Sequence, residues 1–100
     1  MYRLVNLYPW PDDPEEFKRY FVDVHMPIAE HVPGALRRGY AFAPNIIGDL
    51  DCFCVFEADY ESEEALKAAL ATPAAQAAGR DVPNYSPKPP RVLLYELSEV

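Results

Sequence analysis

Three of the chain's four β-forming runs carry apolar residues on both of their faces, and this limits the architecture more than any other feature. Successive residues of a strand point to opposite sides of a sheet. In the first run Leu4 and Tyr8 share one side, while Val5 and Leu7 share the other. In the third, Cys52, Cys54 and Phe56 oppose Phe53 and Val55. In the fourth, Leu93, Tyr95 and Leu97 oppose Val92 and Leu94. A sheet with one solvated face should alternate with polar residues. A sheet built from these runs needs cover on both sides.

The cover available from the chain itself is two helices. Strand one, Tyr2 to Tyr8, ends at Pro9-Trp10-Pro11. Asp13 can then cap a helix whose first position suits Pro14, and Glu16 stands three residues after the cap. Phe17, Tyr20, Phe21, Val24 and Ile28 follow at spacings of three and four, forming one stripe. Pro27 lacks an N–H, so the helix is expected to end or kink near His25 and Met26. After the turn at Pro33-Gly34, strand two is read over Ala35 to Ala43, a loop over Pro44 to Asp51 and strand three over Cys52 to Ala58. Ser62 can cap a second helix through Leu70, with Glu63 and Glu64 at its positive end. Thr72-Pro73 breaks it, and Ala74 to Ala78 can add one further turn. Asp81 to Pro90 reads as an irregular loop and Arg91 to Leu97 as strand four.

The order β-α-β-β-α-β is that of the α+β, ferredoxin-like split βαβ unit, in a single domain spanning residues 1–100. Two helices cover one face of a four-stranded antiparallel sheet. The apolar second face then predicts a homodimer, two sheets closing into an α/β barrel around a pocket for a small organic molecule. A chain of 100 residues has little stability to spare, which also favours added buried area.

Charge narrows the partners. The formal net charge is −7, and the one tight basic pair, Arg37-Arg38, reads as a solvated feature. Nucleic acid and anionic membrane surfaces are disfavoured as partners. No apolar run approaches the roughly 20 residues of a bilayer-crossing helix, and the N-terminal residues lack signal-peptide character, so a cytoplasmic location is expected. Cys52 and Cys54 are too close in a strand to bridge each other and do not form Cys-x-x-Cys, so both read as core.

Few residues can carry chemistry. His25 sits at the edge of the helical stripe, about 80° from Phe17 at about 100° per residue. Beside a broken helix end it suits a general acid or base, or equally a half-buried histidine bonding a free carbonyl. His31, six residues on, lacks the spacing of a helical metal pair, and no metal site is expected. Asn6 is polar in an apolar strand, and either points into a cavity or lies at the sheet rim. Tyr8 and Tyr40 are the tyrosines placed near a pocket, and some of the seven tyrosines must be plain core. Asp81 and Asn84 are turn residues, or Asp81 orients His25. With four glycines and no phosphate loop, a dinucleotide fold is implausible.

These features together resemble the ethyl tert-butyl ether degradation (EthD) family of the dimeric α/β-barrel superfamily. The likeness is carried by Leu7-Tyr8-Pro9 followed by Asp13-Pro14-Glu15-Glu16-Phe17, then by Tyr20 and Asp23-Val24-His25-Met26-Pro27-Ile28 with its His-x-Pro stretch. Pro33-Gly34, Thr72-Pro73 and Asp81-Val82-Pro83-Asn84-Tyr85 complete it. The resemblance implies a ferredoxin-like protomer, a face-to-face dimer and a pocket between sheet and helices. It makes His25 the foremost site residue; on the reading adopted, Asp81 holds or polarises it, and Asn6, Tyr8 and Tyr40, with Tyr20, Asn84 and Tyr85, bind the substrate. It also implies a cofactor-free enzyme acting on a small cyclic, aromatic or polyketide-like substrate by proton transfer, as isomerase, lyase or oxygenase. A non-catalytic binding or accessory protein of an oxygenase system is the alternative, and haem on His25 or His31 a lesser option.

Overall fold

A computed structural model describes all residues, 1–100. Strands β1 (Tyr2–Tyr8), β2 (Arg37–Phe42), β3 (Cys54–Tyr60) and β4 (Arg91–Glu96) form one sheet in the order β2-β3-β1-β4, with every neighbouring pair antiparallel. The helices α1 (Pro14–Tyr20), α2 (Met26–Ala29), α3 (Glu63–Leu70) and α4 (Pro73–Asp81) pack on one face. This is the ferredoxin-like arrangement expected from the element order. Strands β2 and β3 run one to two residues off the expected bounds, as strand ends commonly do.

The caps lie where the sequence puts them. The Asp13 carboxylate accepts from the Glu16 N–H, Ser62 Oγ from Ala65 and Thr72 Oγ1 from Ala75. Thr72-Pro73 is therefore a stop and a restart. The helix that follows runs nine residues, well beyond the single turn expected, and carries Asp81 out of the anticipated loop and onto its last turn. A 3₁₀ turn over Val82–Asn84 continues it.

Pro27 does not end the first helix. Between α1 and α2 the backbone makes a π turn over Phe21–His25, in which the Met26 N–H reaches back five residues to the Phe21 carbonyl. The ladder is rewritten immediately before the residue that cannot donate to it, and the chain stays helical to Ala29. The wider turn also changes the stripe. Phe17, Phe21, His25 and Ala29, each four residues apart, are the buried positions, and Val24 and Ile28 are only half-buried. His25 consequently leaves the edge of the stripe and enters its centre, 5% exposed.

Two apolar clusters form between sheet and helices. One gathers Leu4, Val32, Ala58, Tyr60, Leu66 and Ala69. The other is largely aromatic, with Tyr8, Phe17, Phe21, Phe53 and Tyr85 around Cys54. Cys52 and Cys54 are both free and buried. The second face of the sheet is less uniformly apolar than the residue alternation suggests. Val5, Leu7, Val55 and Leu93 occupy one part of it, and Arg3, Arg37, Glu57 and Asp59 the other. Asp59 takes two bonds from Arg3, at 2.7 and 3.0 Å, and one of 3.1 Å from Arg37. Arg37 is thus an ion-pairing residue, not a merely solvated one. Every residue of β4 is exposed on both faces. No helix is long and apolar enough to cross a membrane.

Candidate active site

A cavity of about 300 Å³ opens where the two clusters meet, between the sheet and the helical layer. Its walls are mostly apolar, and the polar groups reaching it are Asn6 and Tyr8 from β1, His25 from the π turn, Arg38 from β2 and Tyr60 from β3. The size lies at the lower end of the range for small-molecule sites.

His25 and Asp81 are 56 residues apart in sequence and meet in the structure: Nδ1 of His25 lies 2.9 Å from Oδ2 of Asp81. The π turn supplies the histidine and the last turn of α4 the carboxylate. Asp81 is 8% exposed and fully engaged. Its Oδ1 accepts from the Tyr20 hydroxyl at 2.7 Å and from the Asn84 amide at 3.0 Å. Burial pushes this carboxyl up, but the bonds from Tyr20, Asn84 and His25 outweigh it and leave Asp81 below its ordinary value. For His25 the balance runs the other way. Burial pulls the imidazole below 6.5, and the pull exceeds the opposing effect of Asp81. The ring is therefore neutral at neutral pH. A carboxylate at Nδ1 fixes the proton there, which leaves Nε2 as an acceptor. Nε2 has no partner in the protein, yet no buried side-chain polar atom is unsatisfied, so this nitrogen keeps access to open space. That space is the cavity His25 lines.

The remaining residues expected at the site fall into distinct places. Asn6 and Tyr8 face the cavity. Tyr20 and Asn84 do not; they grip Asp81 from behind and border a separate groove of about 250 Å³ beside Trp10 and Lys88. Tyr85 borders that same groove, and its ring backs His25 with centroids 4.6 Å apart. Its hydroxyl bonds that of Tyr8 at 2.8 Å, and burial raises both phenols. Tyr40 is half exposed, packs on Phe21 and Phe42, and does not line the cavity. Arg38 and Tyr60 were not anticipated. Strand alternation was the available signal for Arg38, since it shares a face with Phe42, which packs on the aromatic cluster.

The chain is thus a ferredoxin-like protomer, a small α+β protein with a histidine and an aspartate paired beside an apolar cavity. The EthD domain family matches residues 11–88, and the chain belongs to that family. An uncharacterised 11.0 kDa protein of Rhodococcus erythropolis, from the thcB-thcC intergenic region, is 29% identical over 91 residues, covering 86% of this chain and 84% of that one. An EthD family protein of Bacillus halodurans superposes with a TM-score of 0.87 at 23% identity, covering 98% and 99% of the two chains. A dimeric ferredoxin-like protein of Thermobifida fusca gives 0.74 at 13% identity over 96% and 90%. SnoaB, a cofactor-independent oxygenase of Streptomyces nogalater, gives 0.68 at 20% identity over 99% and 94%. At these identities the solved structures are alike in fold.

Proposed function

We propose that this protein is a small cofactor-independent enzyme in which His25 removes a proton from a cyclic, aromatic or polyketide-like substrate. The observation that carries the reading is the His25–Asp81 bond together with a free Nε2 at the cavity wall. A substrate C–H or O–H delivers its proton to Nε2, and the electron pair stays on the substrate as an enolate or phenolate. Asp81 holds the ring in position and stabilises the imidazolium that forms. Proton transfer by a placed histidine is typically worth about 10²–10⁴ in rate, so the substrate must be a fairly acidic carbon or hydroxyl. Returning the proton at another carbon gives isomerase chemistry, and expelling a leaving group gives lyase chemistry. Electron transfer from the anion to dioxygen gives oxygenase chemistry, as named for SnoaB. A dimer through the open sheet face accords with the dimeric neighbours.

The test is exchange of substrate C–H for C–D in D₂O, followed by NMR over a panel of cyclic 1,3-diketones, phenols and enol lactones. Wild type should catalyse exchange, with a rate that falls as acid protonates His25. His25→Gln should lose about 10²–10⁴ of it while still binding ligand. Oxygen uptake separates the oxygenase branch. Binding without exchange, or exchange undiminished in His25→Gln, refutes the reading; the former outcome marks a carrier.

A further inference from the structure

We propose that Arg38 is a specificity residue and that the ligand of this cavity is an organic carboxylate with an apolar body. The proposal rests on the cavity assigned above to proton transfer and extends it to the substrate's charge. Arg37 and Arg38 are adjacent, and strand alternation sends them to opposite faces of the sheet. Arg37 meets Asp59 and Glu57 on the open face and is neutralised there. Arg38 faces the helices, where its guanidinium donates to the Val32 carbonyl and makes no ion pair. It is the one Lys or Arg lining the cavity, and no Asp or Glu lines it. A chain with a formal charge of −7 thus presents, at the wall of its apolar cavity and exposed to solvent, a single fixed positive charge without an ion-pair partner.

A guanidinium anchored by one N–H keeps others for a planar bidentate contact, the geometry a carboxylate offers. Position sets the ligand's layout. Arg38, Ala58, Leu4 and Leu94 form one row across the sheet, and Tyr40, Phe56, Asn6 and Val92 the next. His25 packs on Phe21 and Tyr85, which touch Phe42 and Tyr8 one row further on. Rows two residues apart are separated by about 7 Å. Arg38 from β2 and His25 from the π turn thus reach the cavity from different elements, so the ligand's carboxylate and its reacting carbon are held by separate groups.

The experiment is calorimetric binding of 2-naphthoate and of its methyl ester, a neutral probe of the same shape. Wild type, Arg38→Met, Arg38→Lys and His25→Ala are compared at two salt concentrations. Wild type should prefer the anion by several-fold, up to about tenfold, because Arg38 is solvent-exposed and its pair with the ligand is partly screened. The preference should shrink with salt. Arg38→Met should abolish it while ester affinity stays within about twofold, which also shows that the cavity is intact. Arg38→Lys should retain part, and His25→Ala should leave the preference in place. No preference in wild type, or the same preference in Arg38→Met, overturns the proposal. Proton exchange lost with His25 but insensitive to the ligand's charge would overturn it while leaving His25 as the base.

Discussion

If the His25–Asp81 bond is the organising contact of the site, removing the two residues together must cost less than the sum of removing each. The bond is 2.9 Å long, and its partners are 5% and 8% exposed. A hydrogen bond to a charged group contributes about 1.5–3 kcal/mol. Asp81→Ala also loses bonds from Tyr20 and Asn84, but Asn84 is exposed and Tyr20 half-buried, so their donors can turn to water. About 0.5 kcal/mol each is reasonable there, giving about 2.5–4 kcal/mol for Asp81→Ala. His25→Ala loses the same bond and leaves space beside Tyr85, again about 3 kcal/mol. The double variant should then fall short of additivity by about 2 kcal/mol. Urea unfolding followed by circular dichroism measures this in all four proteins, at about pH 7.5 and one protomer concentration, since association adds to apparent stability. Each kcal/mol also moves Tm by about 4–8 °C in a domain this size. A coupling below about 0.5 kcal/mol would show that the two side chains do not act on each other and would remove the basis for assigning Asp81 its role.

Further outcomes follow from burial. Because the folded His25 pKa lies below its unfolded value of 6.5, its contribution is whole above pH 6.5 and is lost as pH falls through the folded pKa; urea unfolding from pH 7.5 to 5 should show a slope that His25→Phe flattens. Burial pushes the Cys54 thiol up to about 12, so it should resist iodoacetamide at pH 8 in the folded protein and react once urea unfolds it. Ser62→Ala removes the cap on the Ala65 N–H and should cost about 1 kcal/mol by the same unfolding assay, with no change in ligand binding.

The order of elements was readable because each start and stop has a local cause: Asp13-Pro14, Ser62 and Thr72-Pro73 act through bonds within a few residues of themselves. The π turn was not readable. A proline in a helical stripe ordinarily means a break, and nothing in the local pattern says that tertiary packing will hold the chain helical through it. That difference moved His25 from the rim of the stripe to its centre. Its pairing with Asp81 spans 56 residues, and periodicity cannot report such a contact; it stood only as one of two readings of Asp81, beside that of a turn residue. Arg38 was legible in principle, since counting alternate residues along β2 separates it from Arg37. It was obscured by reading two adjacent arginines as one basic feature. Tyr40 shows the reverse fault, an aromatic on the helix-facing side of an edge strand that ends against Phe21, outside the cavity.

The π turn also makes the length of this helix a functional quantity. It holds one residue more per turn than regular winding requires, and that surplus is what lines up Phe17, Phe21, His25 and Ala29. Wound as an ordinary α-helix with the same number of residues, the segment would turn everything beyond it by about 100°. Such a chain would keep its composition, its caps and a helix of more regular form, while the imidazole swung away from Asp81. The winding of this helix, and not its residue spacing alone, sets where the histidine points.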